Sequence, residues 1–129
     1  MKIQIRPNIY QLNSLFGAGV WGANIFLLVE SNNLTLIDTG FKGRAEGILS
    51  EIKKMGYVAS DITRILVTHH HIDHVGSLAA LKRATGAMVL AHPADIPYIN
   101  GELPHPGPVK SGVASKILAF CQNISNVNR

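Results

Sequence analysis

The sequence predicts an α/β fold, and two observations carry that reading. Apolar runs bounded by turn residues recur at 24–31, 34–40, 65–67 and 87–92. Between the second and third, and again between the third and fourth, apolar residues fall at helical spacing instead. A strand, a helix and a strand in succession argue for parallel packing in one sheet, because parallel neighbours need a crossover.

The elements follow in order. Residues 3 to 6 form a short strand before Pro7, and 8 to 15 an extended or looped segment. "GAGVWG" at 17–22 is a glycine-rich turn without a phosphate-loop pattern, and Trp21 in it is core or rim packing. "NIFLLVES" and "LTLIDTG" are buried strands joined by the tight-turn pair Asn32 and Asn33, so they make a hairpin. Ala45, Ile48, Leu49, Ile52 and Met55 line one face of a helix over 43–55, and Gly56 stops it. "DITRILVTH" turns into a strand. Val75, Leu78, Ala79 and Leu81 begin a helix that ends near Gly86, and "AMVLAH" is a further strand. Residues 92–108 hold five of the six prolines and form an irregular loop. Val109, Val113, Ile117, Cys121 and Ile124 place a last helix over 109–124, with Cys121 in its apolar stripe.

Composition narrows the function classes. At 129 residues, 47% hydrophobic and 16% charged, the chain is expected to be one folded domain, 1–129. The net charge of +4 comes from dispersed lysines and arginines, so a solvated basic surface is expected and no nucleic-acid partner. One cysteine excludes an internal disulfide. The N-terminus shows no signal-peptide pattern and no apolar run reaches a membrane span, so a soluble cytoplasmic protein is the expectation.

The chemistry concentrates in "THHHIDHVGS", residues 68–77. Four of the six histidines and Asp73 lie within positions 69 to 74. His69 directly follows a strand, and alternate side chains of an extended backbone face the same way. His69 and His71 therefore point together while His70 points elsewhere, and Asp73 and His74 open the next helix. Crowded imidazoles repel if protonated. A divalent cation binds them neutral and pairs with the carboxylate, so this nitrogen and oxygen set suits zinc, iron or manganese.

This segment resembles the metallo-β-lactamase superfamily signature T-H-x-H-x-D-H-x-G, and "LIDTG" at 36–40 is similar to the Asp-bearing strand end that precedes it in that family. The resemblance runs from about residue 8 to about residue 100. It implies an αβ/βα sandwich of which this chain holds the N-terminal αβ half. It implies a site of one or two zinc ions, or iron or manganese, with His69 and His71 on the first metal, Asp73 and His74 on the second, and Asp38 behind them orienting ligands. It further implies a metal-dependent hydrolase, with metal-bound hydroxide attacking an ester, thioester, lactone or amide-type bond of a small-molecule substrate. Asp73 would steer the nucleophile. Two cations roughly 3.5–4 Å apart suit such a displacement.

The family's remaining ligands, a further His, a bridging Asp and a last His, have no match: no histidine follows His105 and no aspartate follows Asp95. His92, at a strand end on the same sheet edge, is geometrically eligible to substitute. His105 and Glu102 are lesser candidates. A second copy of the chain is the expected partner, a homodimer completing the sandwich. The alternative is a catalytically inactive truncated half-domain, or a metal-binding module that dimerises. Gly40 and Gly76 are expected to permit close backbone approaches beside the site.

Overall fold

The computed structural model describes residues 2–12 and 23–104. The glycine-rich turn expected at 17–22 and its Trp21, together with His105, Cys121 and the helix expected over 109–124, lie outside them. Six strands form one sheet: β1 (Lys2–Arg6), β2 (Ile9–Leu12), β3 (Phe26–Glu30), β4 (Asn33–Ile37), β5 (Ile62–Val67) and β6 (Met88–Ala91), ordered in space as in sequence. The first four pair antiparallel; β4–β5 and β5–β6 pair parallel. Helix α1 (Ala45–Lys54) makes the first crossover, followed by a 3-10 turn at Ala59–Asp61. The second crossover holds α2 (Ile72–Val75) and α3 (Leu78–Thr85), and α4 (Ile96–Ile99) follows β6.

Local chemistry explains these boundaries. Asn8 adopts φ +66° and turns the chain after Pro7, so that Ile9–Leu12 returns as a strand within the segment expected to be extended or looped. Asn tolerates this left-handed conformation better than most residues. Ser31 does the same, at φ +52°, between β3 and β4. Gly56 (φ +90°) and Gly86 (φ +71°) follow the ends of α1 and α3 in the conformation glycine adopts at no steric cost. The second predicted helix is two helices, because the chain bends at Gly76 and Ser77. Within 92–108 the expected irregular course is broken by one helical turn, with Pro97 in the first turn, where its missing N–H is not needed.

One face of the sheet carries the core. The cross-strand row Leu27, Leu36, Ile65 and Val89 runs over four strands, and its first three members are fully buried. Ile48 and Ile52 of α1 and Leu78 and Leu81 of α3 close over it in the same cluster. Each full burial of such a side chain contributes about 1.5–3 kcal/mol. The opposite row is Phe26, Ile37, Leu66 and Leu90. It is just as apolar, yet it stays outside the core cluster, with Leu66 37% and Leu90 40% exposed.

Parallel pairing sets the position of the site. Ile37 pairs with Leu66, and Val67 with Ala91, so β4, β5 and β6 end at one edge. Asp38, the 68–71 segment and His92 follow those ends. Loops at the carboxyl ends of parallel strands are where α/β folds place their chemistry.

Candidate metal centre

Asp38 begins the site. It follows β4 in a left-handed conformation (φ +61°) and is 4% exposed. A non-glycine residue held this way stores strain, and surrounding contacts must maintain it. Its backbone N–H donates to Leu66 O at 2.8 Å. Its carboxylate accepts three hydrogen bonds: from Thr68 N (2.8 Å, Oδ1), from Thr68 Oγ1 (2.7 Å, Oδ2) and from His74 Nδ1 (2.7 Å, Oδ2).

These bonds set the tautomers of two imidazoles. A carboxylate only accepts, so the proton between Asp38 and His74 sits on Nδ1, and the Nε2 lone pair is left to face outward. Thr68 Oγ1 donates its proton to Asp38 and lies 3.0 Å from His69 Nδ1. That nitrogen must then be the donor, which leaves His69 Nε2 available as well. One buried carboxylate thus orients His74 directly and His69 through a hydroxyl. Such partners fix ring orientation at metal sites.

The outward-facing atoms converge. One ligand atom each from His69, His71 and Asp73 lies within 4.8 Å of the other two, an arrangement able to hold a metal ion. His74 Nε2 is 3.3 Å from Asp73 Oδ2. The ring centroid of His69 lies 3.9 Å from that of His74 and 4.6 Å from that of His71. Burial, then the charges that His74 and His71 would carry, hold the His69 imidazole below its usual pKa of 6.5; Asp38 and Asp73 offset this in part. A neutral imidazole is the form that binds metal.

The backbone frame beneath is tight. Thr39, fully buried, donates from both N and Oγ1 to His74 O, each at 2.8 Å. Ser77 Oγ accepts from Arg44 N and donates to Phe41 O. These bonds seat the α2–α3 joint on the 38–44 loop. A Cβ built on Gly76 would lie 2.3 Å from Lys42 N and 2.5 Å from Phe41 C, so only glycine fits. Gly40 (φ +68°) needs its conformational freedom instead, and a Cβ there would also press on Ile25.

The structure brings together His69, His71, Asp73, His74 and Asp38. His92 is exposed, and its Nδ1 accepts from Ala94 N (3.1 Å) in a local turn, while Glu102 is exposed in the segment after α4. Two participants escaped sequence reasoning. Thr68 was visible only as part of the motif. Asp95, which grips His70, had no sequence signal because it lies 25 residues from its partner.

An α/β sheet that gathers His and Asp donors at the carboxyl edge of its parallel strands presents a candidate metal-binding loop. The chain belongs to the metallo-beta-lactamase superfamily, whose sequence model matches residues 18–121. It is 28% identical over 107 residues to the probable metallo-hydrolase YflN of Bacillus subtilis, covering 78% of this chain and 40% of that protein. It is 37% identical over 65 residues to a hydroxyacylglutathione hydrolase of Albidiferax ferrireducens, covering 50% of this chain and 23% of that protein. The solved structure of BJP-1, a subclass B3 metallo-beta-lactamase of Bradyrhizobium japonicum, superposes with a TM-score of 0.67 at 33% identity, covering 80% of this chain and 37% of that chain. The chain thus spans about a third to two fifths of the length of the first curated relatives it matches. It holds part of the family fold. Among the described residues no helix is long and apolar enough to cross a membrane.

Proposed function

We propose that this chain carries the ligand loop of a metal-dependent hydrolase that cleaves an ester, thioester, lactone or amide-type bond in a small molecule. The observation that carries the reading is the convergence of His69, His71 and Asp73 ligand atoms within 4.8 Å of one another. Borderline imidazoles with one hard carboxylate suit zinc, and iron or manganese as well. When bound, such a cation acidifies water and polarises a scissile carbonyl. The chain's own residues do the rest. His69 and His71 would hold a metal at the first position through ring nitrogens, and Asp73 with His74 Nε2 one at the second. Asp73 also offers an oxygen to accept a proton from an attacking water. Asp38 and Thr68 keep both ring orientations through the cycle.

The test is elemental analysis of untagged purified protein, with thermal melting in zinc and in chelator, and assay against ester, thioester and lactone panels. Bound metal with turnover that is lost in His71→Ala supports the reading. Stoichiometric metal without turnover on any panel favours a binding module instead. No metal and no melting shift in zinc ends the reading.

We propose also that a second copy of the chain covers the apolar row Phe26, Ile37, Leu66 and Leu90. That half-exposed row favours a covered face, because a sheet apolar on both sides needs two layers against it. A two-fold contact would match the row with itself.

A further inference from the structure

His70 lies between two candidate ligands, and its ring meets that of His71 edge-on, with centroids 5.2 Å apart. Its Nδ1 is 2.6 Å from Asp95 Oδ1, and its backbone N–H donates to the same oxygen at 3.1 Å. Its ring stacks on Tyr98, with centroids 4.3 Å apart and planes 18° from parallel. We propose that Asp95 and Tyr98 are positioning residues that aim His69 and His71 by gripping His70 from the other side of the loop. This inference rests on the metal-binding reading above.

The geometry supports it at three points. First, one carboxylate oxygen holds both the ring and the backbone of His70, so the residue can neither rotate its ring nor lift its peptide without losing a bond. Its neighbours on either side share that backbone. His71 is extended (φ −62°, ψ 151°) and its ring packs edge-on against that of His70, so holding the His70 ring also holds the surface against which His71 packs.

Second, Asp95 stands where α4 would be capped, yet its side chain makes no capping bond there. Asp at that place ordinarily accepts from its own helix, for about 1 kcal/mol. Here the carboxylate is turned to His70 instead. The hydrogen bonds from His70 also hold the Asp95 carboxyl below the usual carboxylate range, which keeps it an acceptor.

Third, the anchor is rigid. Asp95 N donates to His92 O (2.9 Å), while Tyr98 N and Ile99 N donate to Asp95 O (3.1 and 3.0 Å). The grip therefore ties the end of β5 to the turn after β6, its parallel neighbour.

The experiment compares wild type with Asp95→Ala, Asp95→Asn and Tyr98→Leu. Zinc affinity is measured by chelator competition, and ligand geometry by the visible spectrum of the cobalt-loaded protein. Loss of a partner that orients metal-binding histidines costs about 10- to 100-fold in affinity. We expect Asp95→Ala to lose that much and to change the cobalt bands. Asp95→Asn keeps an acceptor oxygen and stays near wild type. Tyr98→Leu keeps apolar volume without the stack and loses a smaller factor, and it serves as the test if Asp95→Ala does not fold. Wild-type affinity and wild-type cobalt bands in a folded Asp95→Ala, or in Tyr98→Leu in its place, overturn the proposal while leaving the metal centre intact. Failure of the wild-type protein to bind zinc overturns the metal reading itself, and this proposal with it.

Discussion

Asp38 Oδ2 and His74 Nδ1 lie 2.7 Å apart, joined across 36 residues of sequence by the parallel pairing of β4 and β5. The same carboxylate holds Thr68, and through it His69. Replacing it removes three acceptor roles together. Asp38→Ala is expected to weaken zinc binding by about 10- to 100-fold. It also leaves Thr68 N without its partner, which costs stability on the order of 1–3 kcal/mol. Asp38→Asn tolerates the left-handed backbone and keeps one acceptor oxygen, so its loss of stability is smaller. Chelator competition and urea unfolding measure both. Unchanged zinc affinity in a folded Asp38→Ala would show that ring orientation does not depend on this residue.

Two glycines give opposite expectations from the same substitution. At Gly76 an added Cβ meets backbone atoms of Phe41 and Lys42, which cannot swing aside. Gly76→Ala is expected to cost more than about 3 kcal/mol, as overpacking at the upper end does. At Gly47, inside α1, a Cβ meets nothing within 4 Å. Gly47→Ala is expected to stabilise by about 0.5–1 kcal/mol through helix propensity. Urea midpoints at constant slope decide it. A Gly76→Ala protein as stable as wild type refutes the close-packed joint.

Acid should weaken the metal-free protein in two separate windows. His69 in the fold holds its proton less readily than in the unfolded chain, where its pKa is 6.5. Unfolding therefore takes up a proton as the pH drops below that value. Stability falls from about pH 6.5 down to the folded pKa and is level beneath it. Asp95 behaves oppositely in origin, its folded pKa being depressed below 3.8 by His70. Its contribution is complete above 3.8 and disappears as the pH falls through the folded value. Melting temperatures from pH 8 to 3 map both windows. His69→Gln should flatten the first and Asp95→Asn the second. A wild-type profile level between pH 7 and 5 contradicts the His69 expectation.

The apolar row on the second face predicts association. Sedimentation at micromolar concentration is expected to give a dimer, and Leu66→Glu with Leu90→Glu a monomer that keeps its fold, since both side chains are exposed in the single chain. A folded wild-type monomer refutes the self-paired face.

Much of this was legible in the residues. The hairpin at 24–40 and both parallel crossovers follow from periodicity, since local patterns of two and of 3.6 report which side of an element is buried. The motif placed the candidate ligands on one loop, and alternation separated His70 from His69 and His71; in the structure His70 bonds Asp95 while its ring stays edge-on to that of His71. What periodicity could not show was long-range. The break at Gly76 and Ser77 depends on bonds from Ser77 to Phe41 and Arg44, more than thirty residues away. The strand at Ile9–Leu12 is set by its partners, Ile9 pairing with Leu28 and Gln11 with Phe26. His92 was eligible by topology, and its local turn, in which Nδ1 accepts from Ala94 N, could not be read from the sequence.

The coincidence of spatial and sequential strand order has a kinetic meaning. No strand must thread between two already paired, so the sheet can grow by adding each neighbour to the last. The hairpins of β1 with β2 and of β3 with β4 close the shortest loops, and hairpins of this kind form within about 1–10 μs. β5 must wait for α1 to bridge a longer gap, whose closure costs more chain entropy. The candidate donor atoms, which follow β4 and β5, are therefore expected to meet only after this longer gap has closed.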